Sequence, residues 1–447
     1  MVKKPVARPA SFVAQYASSF GYQASVQFAG SSNREPFMSE PTTDTDAAPL
    51  QRHEGAWPIF LIFLRLGLTS FGGPIAHLGY FREEFVARRK WLAERSYADL
   101  VALCQFLPGP ASSQVGMALG LARGGYPGLL AAWAGFTLPS AIALILCALG
   151  LSTWGEAMPA GLLQGLKVVA VAVVAQAVWG MARSLCPDSL RVTLMAAAAC
   201  FVLAVPSALG QVAVILLAAL IGLVLFRPEP GAATDALPVR TGRRRALLWL
   251  ALFAVLLFGL PLLAEALGWR SLALVDAFYR AGALVFGGGH VVLPLLQAEV
   301  VPTGWVGEEA FLAGYGLTQA VPGPLFTFAA FLGAAMRDGP SGWLGGLLCL
   351  VAIFLPSFLL VVGALPFWER LRRNARTQAA LMGVNAAVVG ILLAALYHPV
   401  WTSGIRAPQD FALALLALVA LMFWKLPPWL VVAACGLSGW MLDALWP

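Results

Sequence analysis

Apolar residues run along this chain in long blocks, near 127–151, 159–182, 192–206, 208–226, 246–267, 343–367, 380–398, 411–425 and 428–446. A helix needs roughly 20 apolar residues to cross the hydrocarbon core of a bilayer, so each block predicts a crossing helix. Four further apolar stretches are cut in the middle. Gly72, Gly73 and Pro74 cut 57–81, and Pro108, Gly109 and Pro110 cut 97–122. Gly287, Gly288 and Gly289 cut 272–296, and Pro322, Gly323 and Pro324 cut 310–336. Proline removes a backbone donor and glycine favours non-helical angles, so each cut ends one helix and starts another.

The cuts expose an internal repeat. Phe63, Arg65, Gly67, Phe71, Gly72 and Gly73 recur 215 residues later as Phe278, Arg280, Gly282, Phe286, Gly287 and Gly288. Leu103, Gln105 and Pro108-Gly109-Pro110 recur 214 residues later as Leu317, Gln319 and Pro322-Gly323-Pro324. Pro139-Ser140 recurs as Pro356-Ser357, and Gly165 as Gly383. The predicted organisation is therefore a polar N-terminal tail over 1–54, a first membrane repeat over 55–226 and a basic linker over 227–245. An unpaired connecting helix over 246–269 and a second repeat over 270–447 follow.

Charge orients these elements. Cytoplasmic loops of membrane proteins are enriched in Lys and Arg. With the N-terminus cytoplasmic, Arg123, Arg183, Arg191, the linker cluster Arg227, Arg240, Arg243, Arg244 and Arg245, and later Arg370, Arg372, Arg373 and Arg376 all fall inside. The unpaired helix then delivers the second copy upside down, an inverted repeat of the kind found in secondary transporters. The C-terminus is expected in the periplasm. Loop 82–95 is basic and loop 299–309 carries only acids, which fits cut segments that enter and leave on one side. The expected fold is all-α and polytopic, with about nine crossing helices plus four re-entrant hairpins. Thirteen full crossings is the rival.

Composition agrees with this pattern. The 447 residues are 60% hydrophobic and 11% charged, against about 25% charged in soluble domains. The net charge of +7 lies in short loops and is no sign of nucleic-acid binding. The six cysteines are scattered without a Cys-x-x-Cys pair and read as small core residues. The tail has no apolar core of the length a cleaved signal peptide requires.

The candidate chemistry sits at the cuts. A helix broken inside a membrane offers free N–H groups and a positive dipole end, which together suit an anion. Pro74, Pro110 and Pro324 stand where an outgoing half-helix would begin. Arg65 and Arg280 are matched cations inside apolar runs. They either hold an oxyanion through the guanidinium fork or pair with a carboxylate such as Asp276 or Glu83. Lys167 lies inside an apolar block, with Asn385 at its repeat position. Gln105 and Gln319, three residues before each Pro-Gly-Pro, would donate to an oxyanion or satisfy backbone freed by the break. Ser113 and Thr327 are weaker candidates of the same kind. His77 and His290 are weak proton-relay candidates that do not align in the repeat. No enzyme motif, metal cluster or cofactor fingerprint is present, so neither catalysis nor a cofactor is expected.

The stretch FLRLGLTSFGGPIAHLGYFREEFVARRKWL, followed by QFLPGP, resembles the chromate ion transporter family in its long two-domain form. The second copy, FYRAGALVFGGGH followed by QAVPGP, is similar to that family's second domain, although it lacks the basic cluster Arg88-Arg89-Lys90 before the loop tryptophan. The resemblance implies proton-motive-force-driven export of chromate across the bacterial inner membrane, and chromate resistance. It names chromate as the substrate; the contacts expected from the breaks themselves are the glycine and proline cuts with Arg65, Arg280, Gln105, Gln319, Ser113 and Lys167. A sulfate or related oxyanion carrier is the alternative, and a membrane-embedded enzyme or scaffold the reading from another class. The expected partners are the oxyanion and the lipid bilayer, with no nucleic acid; a homodimer is compatible. Alternating access is expected to come from rocking one copy against the other.

Overall fold

The computed structural model describes residues 54–154, 159–228, 242–368 and 374–445. The tail as far as residue 53, most of the linker, and Arg370, Arg372 and Arg373 lie outside the described residues. All the described regular structure is helical.

The first copy contains α1 (Ala56–Thr69), α2 (Gly73–Arg82, continued by a π-turn over Glu83–Arg88) and α3 (Glu94–Phe106). Then come α4 (Ala111–Trp154, two limbs that turn at Gly125 so that Gly120 packs on Gly128), α5 (Ala160–Leu185), α6 (Ser189–Ala204) and α7 (Ala208–Leu225). The connecting helix is α8 (Arg243–Leu267). The second copy runs α9 (Arg270–Leu284), α10 (Val292–Val300), α11 (Glu308–Ala320), α12 (Phe328–Ala334), α13 (Gly342–Ala364), α14 (Ala375–Ala395), α15 (Pro408–Met422) and α16 (Pro428–Leu445).

Six helical stretches are long and apolar enough to cross a membrane: Ala111–Thr153, Ala160–Leu185, Ala208–Leu225, Arg243–Leu267, Gly342–Phe367 and Ala375–Gly404. The blocks at 192–206, 411–425 and 428–446 are helices as well, but shorter apolar ones. Two of them begin three residues before their apolar blocks. Asp188 accepts from the Arg191 N–H and starts α6 at Ser189, and Pro408 opens α15. The chain is thus a multi-pass, all-α membrane protein. Its cut segments are built of short limbs. The 14 residues of α1 extend about 21 Å, less than the ~30 Å hydrocarbon core. The 13 residues of α3 and of α11 reach no further.

Helix contacts form two layers bridged by α11, which meets α4 and α12 of the first layer and α5 and α16 of the second. In one, α1 packs on α4 and α9 on α13, while α12 and α13 both meet α4. The buried stripe of α1 is Ile59, Phe63, Leu66 and Gly67, the spacing of one helical face. At Gly67 a Cβ would come within 2.7 Å of the Gly135 carbonyl oxygen, so only glycine permits this approach. The connecting helix α8 lies against α9 and α13. It leaves Leu248, Val255, Phe258 and Leu262 exposed, as a lipid-facing helix must.

In the other layer the copies interlace. Helix α5 of the first copy is held by α15 and α16 of the second, and α14 of the second by α6 and α7 of the first. The crossings are glycine contacts against backbone: Gly165 on Cys435, Gly161 on Gly439, Gly222 on Ala379 and Gly383 on Ala218. Close backbone approach at small residues is how membrane helices associate. Polar bonds reinforce it. The Gly161 N–H donates to Asp443 Oδ2 (3.2 Å), and Gln164 Nε2 donates to the Gly404 carbonyl (2.8 Å) and to Asp410 Oδ2 (3.1 Å). Each layer therefore contains helices from both copies, and neither copy is a separate rigid body. This removes the physical basis for rocking one whole copy against the other.

Candidate functional site

The four cuts are genuine breaks, and they meet. The Gly109 N–H of the first copy donates to the carbonyl of Val285, just past the end of α9 in the second copy (2.7 Å). The Gly323 N–H of the second copy donates to the carbonyl of Ser70, just past the end of α1 in the first (3.1 Å). Val285 and Ser70 stand 215 residues apart, as Arg280 and Arg65 do, so the two bonds are repeat-related. The remaining cut closes the junction: a Cβ on Gly289 would lie 3.4 Å from Pro74 and 3.5 Å from Leu325.

Glycine is required at the two Pro-Gly-Pro centres for two reasons. Gly109 has φ 121° and Gly323 φ 113°, values L-residues rarely adopt. There is also no room, because a Cβ on Gly109 would overlap Ser357 Oγ of the second copy, and one on Gly323 would lie 2.7 Å from Ser140 Oγ of the first. The prolines place the outgoing limbs. Pro74 falls in the first turn of α2, Pro110 directly precedes α4, and Pro324 precedes the short 3-10 turn Leu325–Thr327 that leads into α12. A helix start needs no donor at those positions, so proline costs little there.

Polar side chains line the junction. Ser70 Oγ, Ser113 Oγ, Gln114 Oε1, Thr137 Oγ1 and Gln319 Nε2 are buried atoms with no hydrogen-bond partner. An unpartnered buried polar atom costs about 1–3 kcal/mol, so such a cluster marks a site or stored strain. Hydroxyls and an amide N–H are donors, the groups an oxyanion accepts from. Gln114 Nε2 donates to the Pro108 carbonyl (2.7 Å) and holds the first break in shape. The sequence had singled out Ser113 and Gln319 only. Ser70, Gln114, Thr137, Ser140 and Ser357 were missed as site residues. The recurring Pro-Ser pairs were the available signal for the last two.

The other candidates separate. His77 is buried, with Nε2 at 3.2 Å from the Ser70 carbonyl and Nδ1 at 3.4 Å from Ser112 Oγ, so it braces the first break. His290 Nδ1 lies 2.8 Å from the Tyr315 hydroxyl. Thr327 Oγ1 donates to the Pro324 carbonyl (2.7 Å). Gln105 is exposed on α3, unlike its repeat mate Gln319. Lys167 is buried on α5 and ion-paired to Glu309 at the start of α11 (3.0 Å), a partner 142 residues away. Glu309 also meets Arg406 (3.2 Å).

The matched arginines differ most. Arg280 Nη2 lies 3.0 Å from Asp276 and 3.2 Å from Glu299. Arg65 is exposed on the stripe of Leu61 and Leu68, and no acid or carbonyl among the described residues meets its guanidinium. The repeat explains the contrast. Leu61 occupies the position of Asp276, and Glu84 that of Glu299. Glu84 is held instead by Arg88 and Arg89, at 2.6 Å each. The basic loop thus draws away the acid that would neutralise Arg65. Its tryptophan, Trp91, stacks near Phe85 (4.7 Å) and under the Arg123 guanidinium (5.0 Å).

A stability prediction follows from the paired arginine. Arg280→Ala leaves Asp276 and Glu299 facing each other without a cation. Breaking a buried ion pair costs about 3–5 kcal/mol; Arg280 is a quarter exposed, so the expected loss is at the lower end or below it, about 2 kcal/mol. A lower melting temperature of the detergent-purified variant, with recovery in Arg280→Ala combined with Asp276→Leu, checks it.

Comparison with known proteins places this architecture. Residues 57–223 and 272–440 both match the Chromate transporter family model. The chain belongs to the chromate transporter family. It is 31% identical over 436 residues to the chromate transport protein of Pseudomonas aeruginosa, covering 92% of this chain and 98% of that one. It is 28% identical over 395 residues to a probable chromate transport protein of Synechococcus elongatus, covering 84% and 93%. The uncharacterized transporter YwrA of Bacillus subtilis is 29% identical over 174 residues, 38% of this chain and 95% of that one. No solved structure matches the chain. As a member of the chromate transporter family it is a membrane transport protein and not an enzyme.

Proposed function

We propose that this protein exports chromate from the cytoplasm across the bacterial inner membrane, driven by the proton motive force, and so confers chromate resistance. The observation that carries the reading is the junction of four broken helices, with its unpartnered donors, in a member of the chromate transporter family. Chromate is a tetrahedral dianion. The unpartnered hydroxyls and the Gln319 amide, the half-helix dipoles, and Arg65 on the limb that ends at Ser70 are the groups that offset its dehydration. Because each layer mixes both copies, access alternates by motion of one layer against the other.

Transport of radiolabelled chromate into inverted membrane vesicles tests this. Vesicles with the protein should accumulate chromate when energised and lose it on adding a protonophore. Cells lacking the gene should grow less well on chromate. Accumulation of sulfate without chromate would replace this reading with that of a sulfate or related oxyanion carrier.

The proposal includes a topology, with the N-terminus cytoplasmic, the C-terminus periplasmic, loop 82–95 inside and loop 299–309 outside. Ala93 and Thr303 are both exposed. In a cysteine-free background, Thr303→Cys should react with an impermeant maleimide in intact cells and Ala93→Cys only after lysis. External labelling of Ala93→Cys would mean that the cut segments cross fully.

A further inference from the structure

The second copy contains a charge cluster that the oxyanion path does not use. Asp276 and Arg280 lie on α9, the limb before the triple-glycine break, and Glu299 lies on α10, the limb after it. Their side chains are 9%, 26% and 18% exposed, in the order Asp276, Arg280, Glu299. One guanidinium against two carboxylates leaves a net charge of −1 in apolar surroundings. An uncompensated charge there is costly, and taking up one proton removes it.

The cluster opens on a small cavity lined by Arg280, Glu299, Leu284, Leu295 and, from α7 of the first copy, Gln211. Gln211 is 4% exposed. Its Nε2 donates to the Pro294 carbonyl (3.2 Å), while its Oε1 is buried with no partner. Arg280 Nε is likewise buried without an acceptor. These are a donor and an acceptor that one neutral water would join, accepting from Arg280 Nε and donating to Gln211 Oε1. Among the described residues, the charges that reach the two carboxylates belong to the cluster itself: Arg280 faces both, and Asp276 faces Glu299. On the packed elements α7, α8, α13 and α14, no other described charged side chain is paired with them.

We propose that Asp276, Arg280 and Glu299 form the proton-coupling site, with Glu299 as the group that takes up the proton. This rests on the reading of the chain as a proton-driven chromate carrier. Hydronium entering the cavity gives its proton to a Glu299 carboxylate oxygen and leaves as water. Arg280 then stays paired with Asp276, and the cluster is neutral. The ion pair between α9 and α10 is lost, so the limbs on either side of Gly287-Gly288-Gly289 are released from each other. Release of the proton restores the tie. The first copy cannot do this, because Leu61 replaces Asp276 and Glu84 is bound to Arg88 and Arg89.

Purified protein in proteoliposomes separates the site from the reading it rests on. Chromate counterflow, an exchange that needs no gradient, reports the carrier. Accumulation on an imposed pH gradient reports coupling. Glu299→Gln and Asp276→Asn should keep counterflow and lose about tenfold or more of the gradient-driven accumulation. Wild-type protein without counterflow would overturn the chromate reading and the site with it. Gradient-driven accumulation kept by both variants, beside normal wild-type transport, would overturn the site alone. Should the variants not fold, the wild-type protein decides. A hydrophobic carbodiimide, which attacks protonated carboxyls in apolar surroundings, should modify Glu299 or Asp276 at acidic pH and lose that reaction at alkaline pH. Absence of modification at both, in protein that accumulates chromate on a pH gradient, would refute the assignment.

Discussion

Gly109→Ala and Gly323→Ala each abolish transport at matched protein levels. Two costs act together in each. The backbone angles of φ 121° and 113° strain any L-residue, at about 1–3 kcal/mol. The added Cβ also overlaps a serine hydroxyl of the opposite copy, Ser357 or Ser140. A combined cost near 3 kcal/mol is roughly a hundredfold in the population of the intact junction. Chromate accumulation in inverted vesicles measures it. Removing the Ser357 overlap, with Gly109→Ala and Ser357→Gly together, should recover little, because the angle is unchanged and the Cβ still lies 2.7 Å from Gln114 Nε2. Gly79→Ala is the control. No atom lies within 4 Å of its Cβ position and it sits inside α2, so transport should be normal. Wild-type transport by Gly109→Ala would mean that the four breaks need not meet as described.

Arg65→Ala is expected to remove chromate transport while leaving the melting temperature unchanged. This is the reverse of Arg280→Ala, which acts first on stability. The reason is the pairing. Among the described residues Arg65 has no partner to orphan, so its loss costs the fold little, and an arriving dianion finds a guanidinium that no described carboxylate neutralises. Arg65→Lys should restore little, because an ammonium lacks the planar fork that meets two oxygens at once. Transport assayed beside thermal melting separates the two arginines. Unchanged transport in Arg65→Ala would leave the residue a surface role on its apolar stripe.

Much of the fold was legible because hydrophobic runs and glycine or proline punctuation are local signals. The block at 246–267 is the helix Arg243–Leu267, and that at 208–226 is Ala208–Leu225. The departures come from local chemistry that apolarity does not report. The Asp188 cap starts α6 three residues before the first apolar position of its block. A π-turn over Leu396–Trp401 prolongs α14 towards Gly404. The runs ending at 122 and starting at 127 are the two limbs of α4, which turns at Gly125 (φ 61°, ψ −152°) so that Gly120 lies against Gly128.

At the candidate site the breaks were visible and their partners were not. Gly109 meets Val285, and Lys167 meets Glu309, across distances along the chain that no periodicity encodes. A pair between Arg280 and Asp276, four residues apart on one helical face, was one of the two readings of that arginine, and it is the one formed. The part of Glu299 was not, because it depends on how α10 folds back after the glycine break. Interlacing was equally out of reach. Gly165 and Gly383 recur in the repeat, but nothing local says that each lies on a helix of the other copy.

The interlaced layer also governs how the protein can be made. As the chain leaves the ribosome, α5 and α7 enter the bilayer while the helices that will cover Gly165 and Gly222 are still unsynthesised. The partner of α7 is α14, and the partner of α5 is α16, which emerges long after it. Insertion therefore proceeds helix by helix, but compaction of this layer waits for α16. Until then the glycine faces are open to lipid and to other nascent helices. A chain cut short before α16 would display the unclosed α5 face, a feature by which membrane quality control could tell an unfinished molecule from a complete one.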